Sequence, residues 1–427
     1  MHNVKGKDML TQNASGALET EMRYQPALAK EVRTRAGLPT FFSKAQAGKE
    51  VRVAYFGGSI TEQAGWRVKS LDWLKERYPN ASFVEINAAI GGTGSEYGAF
   101  RMGRHVLQLN PDLIFVEFAV NDSGAKADDI YRSMEGVVRQ ARRHNPLVDI
   151  CFVYTLTDKL TQDLLAGKCN PSASVMEHIA DYYGIPSIQL GVEVVRLLKE
   201  GTLIFKGEKP KTPEEIAALE GKILFSSDNV HPYVDSGHAV YHTVVSRALI
   251  EIEKRGTSTG ARTLPEPLFP DNLEWAQMIL ASDVISGNGW EQLDMRSNPI
   301  VSQFEKIMPS IFRATAPGTS FTVKFKGTAV GLAIVVGPDS GQILVTIDNE
   351  APKTMRQFDE YCTWHRASNF VVKNLRDTEH TVKIEVDGVR FDKAEILKLQ
   401  DETIKDPKQF ADYAVYVGGL LLIGKLA

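Results

Sequence analysis

Residues 51–61 read VRVAYFGGSIT, an apolar run that ends at two glycines and a serine. The run predicts a short, largely buried β-strand, and Gly57 and Gly58 allow the sharp turn that would present Ser59 at its tip. Backbone N–H groups are free at the start of a helix that follows such a turn, which suits an oxyanion, and the hydroxyl needs only a base to become a nucleophile. Because Gly-Gly-Ser is also ordinary turn chemistry, this stretch alone leaves both interpretations open.

A candidate base for Ser59, His231, lies far along the chain, where residues 227–232 read SDNVHP. Asp228 and His231 are three residues apart in this polar segment. The carboxylate could therefore hold the imidazole while the other ring nitrogen takes the proton of the serine hydroxyl. The pattern predicts the three side chains of a serine hydrolase.

Two further stretches lie between the serine and the histidine, and each follows an apolar run. Residues 87–95 read NAAIGGTGS and residues 118–122 read FAVND. The backbone N–H of Gly92 and the side-chain amide of Asn121 are donors of the kind that stabilise a tetrahedral oxyanion. The presence of four such stretches in this order favours a hydrolase active site over a set of ordinary turns.

This order of blocks resembles the SGNH (GDSL-type) hydrolase superfamily, whose four blocks carry Ser, Gly, Asn and a final Asp-x-x-His. The resemblance implies that Ser59 is the nucleophile, and that Gly92 and Asn121 complete an oxyanion hole with the Ser59 N–H. It also implies that Asp228 orients the base His231. Such a mechanism needs no cofactor and no metal ion.

The resemblance covers roughly residues 50–250 and has two departures. Gly58 stands where the family name implies an aspartate, and Ala119 stands where the third block often has glycine. Neither departure removes a catalytic atom. The Gly-Gly-Ser-Ile form of the first block resembles carbohydrate O-acetyl esterases. We therefore expect a serine esterase that removes small acyl groups, above all O-acetyl, from a mono- or oligosaccharide through an acyl-enzyme.

Two other functions stay open at this stage. A lipase or thioesterase would keep the same catalytic residues and add an apolar channel for the acyl chain, which a sequence cannot reveal. A non-catalytic carbohydrate-binding protein built on a hydrolase fold is disfavoured by the intact Ser59, Asp228 and His231.

Strands and helices alternate between residues 50 and 255. Continuous apolar runs such as DLIFVEFAV are typical of parallel strands buried on both faces, and helical patterns separate them. The alternation predicts an α/β domain, and the resemblance implies a three-layer, flavodoxin-like parallel sheet. Functional loops then lie at the carboxyl ends of the strands, where Ser59, Gly92 and Asn121 fall. Residues 201–226 break this alternation and could either wall the site or form a solvated loop, and the solvated loop is preferred.

The rest of the chain divides into three parts. Residues 1–49 are expected to pack on the hydrolase domain as a lead-in, and residues 256–270, rich in Gly, Thr and Pro, read as a linker. Over residues 271–427 the periodicity changes to two, which predicts a β-sandwich of jelly-roll type. This part loosely resembles the carbohydrate-binding modules beside some esterases. Its strands are predicted at 320–326, 329–336, 342–349, 368–373, 380–387 and 414–423.

Charge and composition exclude several classes of partner. The 427 residues carry a net charge of -4, with 43% hydrophobic and 24% charged residues, so we expect a globular protein that does not bind nucleic acid. The longest apolar run, residues 414–424, is too short to cross a membrane.

The three cysteines, Cys151, Cys169 and Cys362, are widely spaced, which argues against a disulfide framework. We expect a cytoplasmic protein, although one with a trimmed secretory signal would look the same, and a homo-oligomer stays open.

A metal site is one further alternative. His238 and His242 are four residues apart on a predicted helix, which is metal-ligand spacing. The first histidine is not followed by the glutamate of an H-E-x-x-H motif, so packing is the preferred interpretation and no metal is predicted.

Four aromatic side chains are candidates for stacking on sugar rings, provided that they are exposed. The candidates are Trp66, Trp290, Tyr361 and Trp364. For each of them burial in a core is the competing interpretation. Tyr361 and Trp364 are favoured because the stretch DEYCTWH falls between predicted strands, where side chains project outward.

Overall fold

A six-stranded sheet organises the first part of the chain in the computed structural model, which describes residues 25–256, 259–287 and 289–427. Its spatial order is β1-β6-β5-β4-β2-β3, and every pairing is parallel except that of the short first strand with β6. Without β1, this order is 2-1-3-4-5 in chain sequence, which is the flavodoxin-like arrangement. The predicted fold is confirmed. The strands are β1 (Val32–Arg33), β2 (Glu50–Gly57), β3 (Ser82–Asn87), β4 (Leu113–Glu117), β5 (Asp149–Tyr154) and β6 (Ser187–Gln189).

Helices cover both faces of this sheet. In β4 and β5 every residue is buried, as the continuous apolar runs predict. One helix illustrates the local signals: Asn170 accepts the Ala173 N–H at the start of α7, and Gly184 ends the helix in the left-handed region with φ 64°. The helices are α1 (Pro39–Gln46), α2 (Ser59–Glu62), α3 (Trp66–Arg77), α4 (Ser95–His105), α5 (Ala127–His144), α6 (Thr161–Leu165), α7 (Pro171–Tyr183), α8 (Gly191–Lys199), α9 (Pro213–Ala218) and α10 (Gly237–Arg255).

Residues 201–226 are more ordered than the predicted solvated loop. They form two short parallel strands, β7 (Leu203–Lys206) and β8 (Ile223–Ser226), with helix α9 between them. A capping box between Thr212 and Glu215 starts that helix. The prediction was wrong because four-residue strands flanked by lysines carry too little periodicity to be recognised.

The chain divides into two compact units. The boundary in the chain lies between Glu274 and Trp275, although the short segments Gly91–Thr93 and Ala99–Gln108 group with the second unit. The predicted linker is therefore not a free connection. Arg262 lies 2.8 Å from the fully buried carboxylate of Asp149.

The lead-in also packs on the first unit where it is described. Strand β1 pairs with β6, and Phe41 of α1 is fully buried in the core of this unit. The Phe41 backbone N–H donates to the Asp149 carboxylate at 2.9 Å. The part of the predicted lead-in before residue 25 lies outside the described residues.

The second unit is an all-antiparallel β domain, as predicted. Its strands join one nine-stranded sheet with an apolar core. The strands are β9 (Ala276–Leu280), β10 (Glu291–Gln292), β11 (Phe312–Ala314), β12 (Ser320–Val336), β13 (Gln342–Ile347), β14 (Lys353–Arg356), β15 (Arg366–Val372), β16 (Thr378–Val386) and β17 (Val415–Leu426), with one helix, α11 (Lys393–Leu397), among its described residues.

The two strands predicted at 320–326 and 329–336 are one continuous strand, β12, in the structure. Its first half pairs with β16 and its second half pairs with β15, while β17 pairs with it through irregularities at Gly327 and Ala333. The predicted break between residues 326 and 329 does not occur, because the antiparallel neighbours supply hydrogen bonds that carry the strand through Gly327 as a bulge.

Cys151, Cys169 and Cys362 are all buried and none is in a disulfide. Within the described ranges, no helix combines the length and the apolar character needed to cross a membrane.

Candidate active site

The Ser59 side chain meets those of the distant residues Asp228 and His231 beside the central strands. The Ser59 Oγ lies 2.8 Å from Nε2 of His231, and Nδ1 of the same ring lies 2.7 Å from Oδ2 of Asp228. The carboxylate can only accept from Nδ1–H, so Nε2 is left as the acceptor for the serine hydroxyl. The arrangement can move a proton from Ser59 to His231 while Asp228 stabilises the resulting imidazolium.

The Asp-x-x-His loop is shaped by Asp228 itself. Its Oδ1 accepts the backbone N–H of Val230 at 2.9 Å and that of His231 at 2.7 Å, which leaves Oδ2 for the imidazole. Asn229 adopts φ 69°, a left-handed conformation that asparagine tolerates. Partial burial raises the pKa of Asp228, but the hydrogen bonds from the His231 ring and from the two N–H groups outweigh burial, and the pKa falls to about 2.

The serine lies where the fold favours a binding crevice. Strand β2 pairs with β3 on one side and with β4 on the other, so consecutive connections leave its carboxyl end in opposite directions. Such switch points leave a crevice outside the strand ends. Ser59 follows β2 and opens helix α2, while Asn121 follows β4.

Gly58 lets the Asn121 side chain approach the serine turn. A Cβ atom at Gly58 would lie 1.9 Å from Oδ1 of Asn121, closer than any real contact. The glycine that departs from the Gly-Asp-Ser-Leu block therefore makes room for the amide in this chain.

Gly92 lies in the turn between β3 and α4. It adopts φ 70°, where a side chain would be strained even though a Cβ atom would meet nothing within 4 Å. Its N–H as an oxyanion donor stays a prediction from the resemblance.

Two of the four aromatic candidates are core residues. Trp66 is fully buried and packs edge-on against Tyr55 and Phe115, with ring centroids 5.4 and 5.8 Å away. Trp290 is 8% exposed and packs on Phe321 in the core of the second unit. The prediction of a sugar contact at Trp66 was wrong, because the residue starts helix α3 on the face that packs against the sheet.

The other two aromatic candidates are exposed in the second unit. Tyr361 is 46% exposed and Trp364 is 55% exposed, in the loop between β14 and β15. Their role as sugar contacts stays a prediction.

His238 has a structural role in the first unit. Its Nδ1 accepts the Trp66 backbone N–H at 3.0 Å, so Nε2 carries the proton that Gln63 Oε1 accepts at 2.9 Å. Burial lowers the pKa of this ring to about 4 and keeps it neutral. Among the described residues, no group of three or more His, Cys, Asp and Glu side chains is arranged to hold a metal ion.

Glu117 is a residue of this region that sequence reasoning missed. It is the last residue of β4, is 1% exposed, and accepts the hydroxyls of Thr61 at 2.9 Å and Thr155 at 2.8 Å. Burial raises its pKa to about 7, although these hydrogen bonds act in the opposite direction. A lone acid in the apolar run DLIFVEFAV was the available signal, since a buried carboxylate needs partners.

Ser59, His231 and Asp228 form a hydrogen-bonded series on a domain built around a flavodoxin-like sheet. Residues 55–232 match the family model described as GDSL-like Lipase/Acylhydrolase. Residues 55–232 of the first unit thus form a GDSL-like (SGNH) acylhydrolase domain, and the second unit is an all-antiparallel β domain. No curated protein matches the chain significantly.

Two of the solved structures that are similar to this chain are esterases. A two-domain esterase (CEX) active on acetylated mannans, co-crystallised with mannopentaose, is 18% identical, with a TM-score of 0.67 over 92% of this chain and 97% of that chain. Axe2, an acetylxylan esterase from Geobacillus stearothermophilus, is 15% identical, with a TM-score of 0.34 over 47% of this chain and 94% of that chain. The first similarity extends through both units, and at this identity it establishes the fold alone.

Proposed function

We propose that the chain is a serine esterase that removes O-acetyl groups from a carbohydrate. The observation that carries the proposal is the hydrogen-bonded series Ser59, His231 and Asp228 at the switch point of an acylhydrolase domain. In the first step Ser59 Oγ attacks the ester carbonyl while Nε2 of His231 takes its proton. The protonated ring then returns that proton to the departing sugar oxygen, leaving an acetyl-enzyme.

The second step is hydrolysis of the acetyl-enzyme. His231 now takes a proton from water, the resulting hydroxide attacks the acyl carbon, and acetate leaves as Ser59 recovers its proton. Negative charge on the carbonyl oxygen is stabilised by the Ser59 N–H and the Asn121 amide, with the Gly92 N–H as the third donor implied by the resemblance.

The sugar as substrate is supported by the similarity of both units to an esterase active on acetylated mannans. A lipase or thioesterase is the competing proposal. The test is turnover of acetylated manno- and xylo-oligosaccharides beside p-nitrophenyl esters of rising chain length and an acyl-thioester. Release of acetate from the oligosaccharides, with turnover falling as the p-nitrophenyl acyl chain lengthens, supports the proposal. A preference for long acyl chains or thioesters overturns it.

The Gly58→Ala variant tests the Asn121 amide. The added methyl group must displace the amide, so we expect kcat to fall by roughly 10²-fold with little change in KM. Asn121→Ala should give the same loss, and the double variant should be no slower than Asn121→Ala, because both changes remove one interaction. The measurement is steady-state kinetics on p-nitrophenyl acetate.

The control for this prediction is Gly103→Ala. A Cβ atom there meets nothing within 4 Å, and alanine is the better helix former, so activity should stay normal. A change confined to KM in Gly58→Ala would make Asn121 a substrate-positioning residue instead.

The second unit has a cavity with polar walls that suits a hydroxyl-rich ligand. Its volume is about 620 Å³, and Arg313, Asp339, His365 and Tyr416 contribute to its lining. The Asp339 carboxylate lies 2.8 Å from the His365 Nε2 and accepts the Tyr416 hydroxyl. Fixed donors and acceptors of this kind can pair with sugar hydroxyls, and Trp364 immediately precedes His365 in the chain.

The Trp364→Ala variant tests a sugar-binding role for the second unit. We expect kcat/KM on an acetylated oligosaccharide to fall roughly tenfold, because an exposed indole face is lost, and p-nitrophenyl acetate turnover to stay unchanged. Trp275→Ala is the matched control, since Trp275 is 62% exposed in the same unit. Equal losses on both substrates with a lowered melting temperature would assign Trp364 a structural role.

A further inference from the structure

Glu117 is buried directly beneath the nucleophile turn. Gly57 pairs with it across strands β2 and β4, and a Cβ atom at Gly57 would lie 2.5 Å from the Glu117 carbonyl oxygen and 3.2 Å from its Oε2. The backbone N–H of Gly58 donates to the same carboxylate. The two residues before Ser59 are therefore both held against Glu117.

The residues after Ser59 are held by the same group. The Thr61 hydroxyl, fully buried in α2, donates to Oε2 of Glu117 at 2.9 Å. Nε of Arg67 donates to the Thr61 carbonyl oxygen at 3.1 Å and limits movement of the turn from the other side. On the far side of the carboxylate, Thr155 at the end of β5 donates to Oε1 at 2.8 Å.

The carboxylate thus accepts hydrogen bonds from three donors, two that follow the ends of strands and one at the start of a helix. A charged group in this setting is costly to bury, and hydrophobic packing could fill the same volume at lower cost. A carboxylate can accept all three hydrogen bonds at once, whereas an amide offers one oxygen and two N–H groups. The charge is therefore useful for holding the turn in one conformation.

We propose that Glu117 is a positioning residue, which in its ionised form fixes the Gly58–Thr61 turn and so aims Ser59 Oγ at His231. The inference rests on the proposed function, because it assigns Glu117 a role in activating the same serine. Glu117 touches neither the substrate nor the reacting atoms, so it acts only through Gly58 and Thr61.

Ionisation of Glu117 helps to position the turn, but it lowers the stability of the folded protein. Burial raises its pKa from 4.5 to about 7 against the hydrogen bonds of Thr155, Thr61 and Gly58, and the negative charge of Asp122 adds to the rise. The buried Tyr241 of α10, the other titratable group coupled to it, stays neutral because burial raises its pKa well above the usual range. The folded protein thus binds the Glu117 proton more tightly than the unfolded chain. Glu117 therefore contributes less to the free energy of unfolding as the pH rises through this window.

The Glu117→Gln variant separates positioning from stability. Above about pH 7 we expect its kcat to be ten- to a hundredfold below wild type, because one of the three hydrogen bonds to the Glu117 side chain is lost or reversed and the turn is held less firmly. The ratio of the two kcat values should shrink as the pH falls below about 7, where wild-type Glu117 is protonated as well. Its melting temperature relative to wild type should instead rise with pH, since glutamine does not titrate.

Two threonine variants show whether the effect passes through the turn. Thr61→Val and Thr155→Val each remove one buried hydroxyl donor to Glu117, and we expect similar losses of melting temperature. Only Thr61→Val should lower kcat by roughly tenfold, because Thr61 belongs to the helix that Ser59 opens. Thr61→Ser retains the hydroxyl and should restore kcat.

The matched control is Glu135→Gln. Glu135 is a fully buried carboxylate of the same unit, and it accepts the N–H groups of Leu268 and Phe269 and the hydroxyl of Tyr183. We expect this variant to lower the melting temperature and to leave kcat and its pH dependence unchanged. A Glu117→Gln variant that behaves like Glu135→Gln would overturn the inference.

A covalent probe keeps this test independent of the substrate. The rate at which a fluorophosphonate labels Ser59 reports activation of the hydroxyl whether or not a sugar ester is the substrate. Slower labelling of Glu117→Gln above about pH 7, in a protein that does not deacetylate oligosaccharides, would support the inference and reject the proposed function. Equal labelling rates of wild type and Glu117→Gln across about pH 5 to 9 would overturn the inference alone.

Discussion

The Ser59→Ala variant is expected to hydrolyse esters roughly 10⁴ to 10⁶ times more slowly than the wild-type protein. The hydroxyl is partly exposed at the start of α2 and lies 2.8 Å from Nε2 of His231. Its removal deletes the atom that would carry the acyl group and leaves the packing of Gly57 and Gly58 unchanged. We therefore expect the melting temperature to stay within a few degrees of wild type while turnover of p-nitrophenyl acetate disappears.

Ser246→Ala is the matched control for this change. Ser246 is also partly exposed and donates its hydroxyl to the Thr243 carbonyl oxygen within α10, so its loss should alter neither activity nor fold. Mass spectrometry of protein trapped during turnover should find the acyl group on Ser59 in the wild type and in Ser246→Ala. Near-normal turnover by Ser59→Ala would show that another residue is the nucleophile.

Asp228→Asn should lower kcat by about 10⁴-fold while keeping the fold. Oδ2 of Asp228 now accepts from Nδ1–H of His231, and an amide NH₂ group in this place would donate instead. The ring would then take the opposite tautomer, with the proton on Nε2, and could no longer accept from Ser59. The measurement is the kcat profile across about pH 5 to 9, together with the melting temperature.

The ionisation of Asp228 bears on the pH range over which this prediction is tested. The pKa of Asp228 is lowered to about 2 in the folded protein, so the wild-type carboxylate is ionised throughout the assay range. Its contribution to stability is present above its ordinary pKa and is lost only as the pH falls toward about 2. Loss of wild-type activity on mild acidification therefore does not reflect protonation of Asp228.

Asp235→Asn is the control for Asp228→Asn. Asp235 is an exposed carboxylate in the same segment of the chain, and it pairs with Lys209 at 2.8 Å. Its neutralisation should leave kcat unchanged, because exposed ion pairs contribute little. If Asp228→Asn kept more than about a tenth of wild-type activity, Asp228 would not be the residue that sets the tautomer of His231.

Local sequence patterns were sufficient to predict the α/β fold of the first unit. Apolar runs of strand length alternate with helical patterns, and glycines and prolines mark many of their ends, so the parallel sheet follows from short-range signals. The signals were too weak where elements are very short, as in the two strands within residues 201–226. They were also misleading at Gly327, where hydrogen bonds from neighbouring strands outweigh the preference of glycine for a turn.

Burial was the property that the sequence could not decide. Trp66 and Trp364 are both tryptophans beside polar residues, yet one is fully buried on Tyr55 and Phe115 and the other is 55% exposed. Which face of a helix or loop meets a core depends on the elements packed against it, and those come from distant parts of the chain.

The sequence by itself determined the order of the four blocks and the residue types in them, since Ser59, Asn121 and the Asp228–His231 pair stand out from their local patterns. Only the tertiary structure decided how they meet. Ser59 and His231 are 172 residues apart and come within 2.8 Å because β2 lies at the switch point of the sheet. The role of Glu117 was decided in the same way, because its partners Thr61 and Thr155 come from different elements, and the energy of a buried carboxylate depends on the donors around it.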